Sequence, residues 1–466
     1  MSDNLKEACG LYGIFSFKGD SLAKDVYYGL YTLQHRGQES AGIAVSDMAR
    51  INVHKGMGLV NQVFNEDNLK ALTGKIAMGH VRYSTTGSSV IENAQPVVID
   101  TKFGPLALAH NGNLINTEDL REEVKAQGGK LLGTSDSEAV AALIAVSPEA
   151  DLETAVLSTL KKVRGAFTLL IMSKDKLIGL RDPNGIRPLC IGKLENAYIF
   201  SSETCGLDVL KAEFVREVGN GEMVVVDQNG MRSSYFARGD REALCVFEYI
   251  YFARPDSMIH NRNVYETRVT LGKYLAKEHP VDADLIMPVP ESGVPAAIGF
   301  AQESKIPYGE GLIKNRYIGR TFIQPSQEIR ELGVRLKLNP IRDAVRGKKV
   351  VLIDDSIVRG TTSRQIVRIL KEAGAREVHM RISSPKMLNP CFYGIDTATR
   401  AELIAANLSI EGIAKYLDAD SLGYLSLRGL IKAVALPAKS LCLACFNDDY
   451  PVKVPEKLQN LKLLFE

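Results

Sequence analysis

The stretch Val350–Ser363 constrains the fold of this chain more than any other. It opens with four apolar, mostly β-branched residues, Val350–Ile353, which are typical of a buried parallel strand. Two adjacent carboxylates, Asp354 and Asp355, come directly after that strand, and a short hydroxyl-rich loop follows them. The apolar residues of 364–373 then recur at helical spacing. The sequence therefore predicts a strand, a loop and the start of a helix.

Such a loop has a definite chemistry. Backbone N–H groups at a helix N-terminus bind anions, and Gly360 lets the backbone approach one closely. Carboxylates accept hydrogen bonds from sugar hydroxyls or bind Mg²⁺. We therefore expect a phosphorylated sugar, with its phosphate in the loop and its diol on the carboxylates. The alternative is an ordinary strand, loop and helix with two solvated acids. The stretch is not a P-loop, because it lacks the G-x-x-x-x-G-K-[ST] pattern.

The full sequence of residues 354–363 decides between these alternatives. It reads Asp-Asp-Ser-Ile-Val-Arg-Gly-Thr-Thr-Ser. It resembles the phosphoribosyl diphosphate (PRPP) signature of type I phosphoribosyltransferases, in the version carried by glutamine PRPP amidotransferases. An earlier strand and small loop, 283–293, resembles the pyrophosphate loop of that family, and the cation-rich run 314–335 resembles its flexible catalytic loop. The PRPP-binding residues that the resemblance implies are Asp354, Asp355, Ser356, Arg359, Gly360, Thr361, Thr362, Ser363, Ser292, Gly293 and Lys314. The implied ligands of one Mg²⁺ per subunit are Ser292, Asp354 and Asp355.

Length and composition set broad limits. The 466 residues suffice for two or more domains. A formal net charge of +2 gives no electrostatic argument for binding nucleic acid or a membrane. We see no apolar run long enough to span a bilayer, and the first eight residues do not form a signal peptide. We therefore predict a cytoplasmic protein whose 7 Cys are thiols, nucleophiles or metal ligands rather than disulfides.

The first half of the chain carries a second set of motifs. Cys9 leads the apolar strand 9–17, and taken alone it would be an ordinary buried thiol. Four further polar segments accompany it, namely 33–44, 79–87, 110–113 and 133–138. Together they resemble the class II glutamine amidotransferase domain. The resemblance implies the N-terminal nucleophile fold, an αββα sandwich of two antiparallel sheets.

The resemblance also implies roles for individual residues. Cys9 is the expected nucleophile, with the Asn111 side chain and the Gly112 N–H as oxyanion donors. Arg82 is expected to pair with the α-carboxylate of glutamine and Asp136 with its α-ammonium, although singly each could be a surface ion pair. The remaining pocket residues are predicted as Thr85, which lines it, and Arg36, which forms a wall; His35 and His80 are expected to be structural.

Cys9 can act through its own amine only if it becomes the first residue. A free α-amine has a pKa of about 7.7–8.0, so it could take the proton of the neighbouring thiol. We therefore predict that residues 1–8 are a propeptide, that 9–240 form the glutamine amidotransferase domain, and that 241–466 form the phosphoribosyltransferase domain. Beyond residue 386 we expect helices rather than further α/β alternation.

Four cysteines pose a separate question. Cys442 and Cys445 form a C-x-x-C pair, and Cys245 and Cys391 lie far from it in sequence. From the residues alone, a Zn²⁺ site and four unrelated thiols are comparable alternatives. The surrounding motifs resemble the branch of the family that ligates one [4Fe–4S] cluster per subunit, and the short leader points to the same branch.

The predicted reaction joins both halves. Glutamine hydrolysis at Cys9 would supply ammonia, which displaces pyrophosphate from PRPP to give 5-phosphoribosylamine, the first committed step of purine synthesis. Another class II amidotransferase is disfavoured by the PRPP loop and by the lack of an S-G-G-x-D motif. A non-catalytic PRPP sensor would have no use for a glutaminase pocket. Family resemblance further implies a homotetramer with feedback inhibition by purine nucleotides.

Overall fold

The computed structural model describes residues 9–19, 21–83, 89–315, 337–395 and 399–463, and its first half is built on two antiparallel sheets. In the first sheet the strands lie in the order Glu213–Glu217, Cys190–Leu194, Ala197–Ser201, Gly10–Ser16, Ile76–Arg82, Ser40–Ser46 and Ile51–Met57. In the second the order is Gly230–Tyr235, Glu222–Asp227, Leu177–Arg181, Gly165–Met172, Gly104–Leu114 and Val97–Thr101. Buried side chains of both sheets, including Leu11, Phe15, Leu170 and Phe200, pack between them.

Helices cover the outer face of each sheet. Those on the first sheet are Ala23–Thr32, Val60–Val63, Glu66–Ala71 and Cys205–Asp208, and those on the second are Thr117–Ala126, Asp136–Val146 and Leu152–Leu160. Two 3₁₀ turns, Gln34–Arg36 and Ile91–Asn93, connect elements of this half. The order helix, sheet, sheet, helix confirms the predicted αββα sandwich.

The second half is built on a parallel sheet. Its strands lie in the order Leu285–Pro288, Lys349–Asp354, Glu377–Ile382 and Ser421–Tyr424. The accompanying helices are Val264–Glu278, Val294–Ser304, Arg342–Val345, Thr361–Glu372, Ile404–Asn407, Ile410–Leu417, Leu427–Val434, Ala444–Asn447 and Glu456–Leu463. Short ribbons pair Met258–Ile259 with Arg262–Asn263, Leu312–Lys314 with Leu338–Pro340, and Leu244–Cys245 with Leu441–Cys442. The 3₁₀ turns here are Arg400–Glu402 and Ala438–Ser440. This α/β half confirms the predicted phosphoribosyltransferase fold.

One expectation for the C-terminal part was wrong. Ser421–Tyr424 continues the α/β alternation beyond residue 386, because it adds a parallel strand beside Glu377–Ile382. The helix Ile410–Leu417 lies between these two strands in the sequence and packs against Ser421–Tyr424. The region is therefore a sheet edge with helices, not a purely helical extension.

A buried junction joins the two halves. Glu248–Phe252 forms a single π-helical turn, a conformation that is rare and often found at functional sites. Its apolar residues share one core with Ile115 and Ile186 of the first half and with Phe392 of the second. In the described part of the chain, no helix is both long and apolar enough to cross a membrane.

Candidate active sites

Cys9 lies at the end of the first sheet, immediately before the strand Gly10–Ser16. Its thiol is 3.5 Å from the backbone oxygen of Tyr83 and is 7% exposed as a residue. Burial raises the pKa of the thiol, and the nearby guanidinium of Arg82 opposes that rise only in part. At neutral pH the thiol therefore keeps its proton, and attack on a substrate requires a base.

Arg36 lies directly behind Cys9. Its Nε donates a 3.0 Å hydrogen bond to the carbonyl oxygen of Cys9, and the side chain is fully buried. The other guanidinium nitrogens bind Glu203 and Glu248. The residue predicted to form a wall of the pocket is thus placed against the backbone of the predicted nucleophile.

Arg82 and Glu39 form an ion pair beside Cys9. Arg82 ends the strand Ile76–Arg82, and its Nη1 donates to Oε1 of Glu39. Both charges act on the pKa of the Cys9 thiol, which places them next to it. Glu39 was not predicted as a pocket residue, although it lies in the segment 33–44 that carries the family resemblance. Thr85, the other predicted pocket residue here, lies outside the described residues.

Asn111 and Gly112 lie on the strand Gly104–Leu114. The Asn111 side chain is buried, and neither its oxygen nor its nitrogen has a hydrogen-bond partner among the described residues. Such an orphaned amide is costly unless a ligand satisfies it. Gly112 has φ +144°, and a Cβ there would lie 2.1 Å from the oxygen of Ala166. The site therefore holds an unsatisfied donor beside a position that requires glycine.

Gly112→Ala is expected to lower glutamine-dependent activity by roughly a hundredfold, because the strand must shift and move any oxyanion donor with it. Steady-state rates with glutamine and with ammonia would measure the effect, and the ammonia rate should change little. Gly104→Ala is a matched control, since Gly104 begins the same strand with φ +100° but faces open space. Equal losses in the two variants would show that backbone strain alone is responsible.

Asp136 begins the helix Asp136–Val146, where the Ser135 side chain caps the first turn. Burial alone would raise the pKa of Asp136, but His110 and the N–H groups of Leu114 and Ser137 outweigh it and lower the pKa. The nearest oxygen is 3.4 Å from Nδ1 of His110. Asp136 also acts on the pKa of Cys9, so it belongs to the same pocket. His110 was not predicted, although it directly precedes Asn111.

Asp354 and Asp355 lie where the strand Lys349–Asp354 ends. Both are buried, and the N–H of Asp355 donates a 2.9 Å hydrogen bond to Asp354. Hydroxyls of Ser356, at 2.6 Å, and of Ser292 bond to Asp355. Burial raises the pKa of both carboxyl groups, and the neighbouring charge of Asp355 raises that of Asp354 further. Two crowded carboxylates with a serine hydroxyl are a donor set that suits a hard cation such as Mg²⁺.

The loop after these carboxylates leads into the helix Thr361–Glu372, as predicted. Gly360 has φ +81°, and Ser363 is buried in the first turn of the helix, while Thr361 is exposed and Ser356 and Thr362 are half-buried. Gly293 packs on the other side of the site, where a Cβ would lie 2.4 Å from the oxygen of Ile353. The two predicted loops therefore meet at the end of one sheet.

Two further residues were predicted to bind PRPP, namely Arg359 and Lys314. Arg359 forms a 2.9 Å ion pair with Glu402. Lys314 is exposed at the end of its ribbon, and residues 316–336 of the predicted catalytic loop lie outside the described residues. Arg268 was missed: it is buried, donates to the oxygens of Tyr249 and Ala253, and acts electrostatically on Asp355.

The four cysteines converge at the junction. Cys245 and Cys442 are paired residues of the ribbon at the junction, and all four thiols are buried. Burial raises the pKa of Cys245 and Cys442, and contact with Cys391 is the main cause that raises the pKa of Cys445. Arg187 lies close enough for Cys245 and Cys391 to act on its pKa. Across the described ranges, no three His, Cys, Asp or Glu side chains converge tightly enough to hold a single metal ion.

Comparison with known proteins adds independent findings. Residues 80–208 match the glutamine amidotransferase domain family, and residues 270–384 match the phosphoribosyl transferase domain family. The chain is 52% identical to an amidophosphoribosyltransferase of Synechococcus elongatus, over 100% of this chain and 95% of that protein. It is 51% identical to one of Methanocaldococcus jannaschii, over 96% of this chain and 98% of that protein. The B. subtilis glutamine PRPP amidotransferase complexed with ADP and GMP superposes with a TM-score of 0.91 at 47% identity, covering 97% of this chain and 100% of that one.

Proposed function

The chain belongs to the amidophosphoribosyltransferase family, and we propose that Cys9 splits glutamine while Asp354 and Asp355 hold the PRPP that accepts the ammonia. As a member of that family the chain is a glutamine-dependent phosphoribosyltransferase. The observation that carries the assignment of residues is the pairing of two separate pockets in one chain. One holds a buried thiol on whose pKa Arg82 and Asp136 act, with an unsatisfied amide on the strand that binds Asp136, and the other holds two crowded carboxylates before a helix N-terminus.

In the first pocket, Sγ of Cys9 attacks the amide carbon of glutamine. The C–N bond breaks, the thiol proton leaves with the amine as ammonia, and water later hydrolyses the thioester to glutamate. The Asn111 amide and the N–H of Gly112 would receive the negative charge that develops on oxygen. Because burial keeps the Cys9 thiol protonated, a base is required, and the α-amine of Cys9 would serve once residues 1–8 are removed. The intact mass of the active enzyme should then correspond to residues 9–466.

The pocket charges suit an amino acid. Arg82 would exchange its contact with Glu39 for the α-carboxylate of glutamine, and Asp136 would take the α-ammonium. Arg36 would hold the backbone of Cys9 rather than touch the substrate. Thr85 remains a predicted contributor.

In the second pocket, ammonia attacks C1 of PRPP and the bond to pyrophosphate breaks. Asp354, Asp355 and Ser292 would hold Mg²⁺, which would neutralise charge on the leaving pyrophosphate. The helix N-terminus after Gly360, with the hydroxyls of Ser356, Thr361, Thr362 and Ser363, would bind the phosphate, and Gly293 would offer its backbone to the pyrophosphate. Arg359 and Lys314 would add positive charge once the loop closes.

We further propose that Cys245, Cys391, Cys442 and Cys445 hold a [4Fe–4S] cluster. All four thiols are buried, and neighbouring cysteines add to the raised pKa values of Cys245, Cys442 and Cys445. Metal that removes the protons would stabilise such a group of thiols, and Arg187 offers a compensating charge. A cluster is held at its corners, so its ligands lie further apart than those of a single ion. The site would tie the junction to the C-terminal segments, which indicates a structural role.

Cys442→Ser is expected to remove most of the bound iron and sulfide and to lower the thermal midpoint by several degrees, because the ribbon at the junction loses the group that ties its two strands together. Iron analysis and visible absorbance of the purified enzyme would measure this. Cys190→Ser is the matched control, since Cys190 is equally buried but lies in the first sheet. Full iron content in the Cys442 variant would contradict the assignment.

Purine nucleotides are proposed as regulators, because the similar B. subtilis structure is described as a complex with ADP and GMP, and a second similar structure as an allosteric regulatory enzyme of purine biosynthesis. A homotetramer and a cytoplasmic location remain predictions, which light scattering and cell fractionation would test.

The overall assignment is tested by supplying glutamine, PRPP and Mg²⁺ together. Glutamate and pyrophosphate should form in equal amounts, and omission of PRPP should prevent pyrophosphate release. Glutamate release with no pyrophosphate under any condition would contradict the assignment.

A further inference from the structure

Glu248 contacts the glutaminase pocket from the other half of the chain. It opens the π-helical turn Glu248–Phe252 of the junction, whereas Arg36 belongs to the first half. Its Oε1 accepts from Nη2 of Arg36 at 2.8 Å, and its Oε2 accepts from Nη1 at 3.0 Å. Both side chains are fully buried, so this is a two-point, charge-assisted clamp.

The clamp determines where Arg36 lies, and Arg36 determines where the backbone of Cys9 lies. The remaining donor, Nε of Arg36, bonds to the Cys9 carbonyl at 3.0 Å. Glu203 also binds Arg36, but it shares its oxygens with His35, Ser257 and the N–H of Arg254. Without Glu248, Arg36 would have one crowded carboxylate partner and could rotate away from Cys9.

A third contact anchors Glu248 itself. Nη1 of Arg187 donates to its Oε1 at 3.2 Å, and Nη2 of Arg187 donates to the oxygen of Tyr393 at 3.2 Å. Two buried arginines therefore meet two buried glutamates, Glu203 and Glu248, and the charges balance. Such a closed network holds its members in one arrangement.

We propose that Glu248 is a positioning residue for glutamine hydrolysis, since it holds Arg36 against the carbonyl of Cys9. This inference rests on the proposed role of Cys9 as the nucleophile. Glu248 acts on Cys9 through Arg36, so its loss should affect the placement of the thiol rather than the binding of glutamine.

Glu248→Gln keeps the size of the side chain and removes its charge. We expect kcat with glutamine to fall by roughly tenfold to a hundredfold, with KM for glutamine changed little, because a slightly misplaced nucleophile loses rate rather than affinity. The ammonia-dependent rate should stay within about twofold. Alkylation of Cys9 by iodoacetamide, followed against pH, should be slower across the profile. Glu248→Asp, which keeps the charge, should recover part of the loss.

Glu222→Gln is the matched control. Glu222 is buried in the first half and binds Arg216 through the same two-point geometry, at 2.7 and 2.8 Å, yet it contacts neither Arg36 nor Cys9 in the structure. Its substitution should leave the glutamine rate unchanged. If Glu248→Gln unfolds, its thermal midpoint shows this, and Glu248→Asp, which keeps a charge facing Arg36 and Arg187, permits the same measurement with a smaller expected loss.

Cys9→Ala is measured alongside. If Cys9→Ala still uses glutamine, the assignment of Cys9 as the nucleophile is wrong. If Cys9→Ala loses glutamine use but Glu248→Gln matches the wild type, only the proposed role of Glu248 is wrong. A parallel fall of the glutamine and ammonia rates in Glu248→Gln would also overturn the proposal, because it would indicate a structural effect on both sites.

Discussion

Replacing Cys9 with alanine is expected to abolish synthesis of 5-phosphoribosylamine from glutamine and to leave synthesis from added ammonia nearly intact. The alanine removes the sulfur that is proposed to form the thioester, so the glutamine rate should fall by roughly a thousandfold or more. The ammonia rate depends on the other pocket. Its carboxylates lie at the end of the strand Lys349–Asp354, in the parallel sheet of the second half. Pyrophosphate release with each nitrogen source would measure both rates.

Cys190→Ala serves as the control for this experiment. Its thiol is buried in the same sheet and bonds to the oxygen of Ser201, but it lies in no candidate site. Both rates should be unchanged there. If Cys9→Ala lost both activities to the same extent, the two pockets would not be separable, and the assignment of Cys9 to glutamine alone would be wrong.

The elements of the sugar-phosphate site were predictable because neighbouring residues determine them. The β-branched run forms the strand Lys349–Asp354, and the helical spacing after it forms the helix Thr361–Glu372. The strand Ser421–Tyr424 was missed because it is short, contains a glycine and has no periodic pattern of its own. Its pairing with Glu377–Ile382 stabilises it, and local sequence does not encode such pairing.

The ion-pair partners of the pocket residues could not be predicted from the sequence either. Arg36 was singled out, but its partner Glu248 lies 212 residues away, and nothing in either segment indicates that they meet. The same holds for Glu39 beside Arg82 and for Arg268 near Asp355. Which cation meets which carboxylate depends on how the two halves pack.

Arg268 shows how closely the two candidate sites approach each other. Burial lowers its pKa to about 10, and the carboxylates that oppose this include Asp355 on one side and Glu203 and Glu248 on the other. One buried guanidinium therefore interacts electrostatically both with Asp355 and with the network behind Cys9. The proposed internal transfer of ammonia requires the two candidate sites to lie near each other.

Asp354→Asn is expected to abolish phosphoribosyl transfer with either nitrogen source. The amide keeps the shape of the side chain, and its oxygen can still accept from the N–H of Asp355, but it no longer offers a charge to Mg²⁺. Loss of several kcal/mol of charge stabilisation corresponds to a fall of about a hundredfold or more. Glutamine hydrolysis measured without PRPP should be unchanged. Asp343→Asn is the control, because Asp343 is an exposed acid of the same half.

The same variant should be as stable as the wild type, or more stable, when Mg²⁺ is absent. Burial and the charge of Asp355 raise the pKa of Asp354 in the folded protein above its unfolded value. A carboxyl of this kind binds protons more tightly when folded, so its contribution to stability falls as pH rises through the interval between the two values. Above that interval the folded state carries the full cost of two crowded charges, which the neutral amide of the variant would remove. Thermal midpoints of both proteins, measured without Mg²⁺ as pH is raised from acid to alkaline, should diverge in favour of Asp354→Asn; a difference that does not change with pH would contradict the crowding of the two charges.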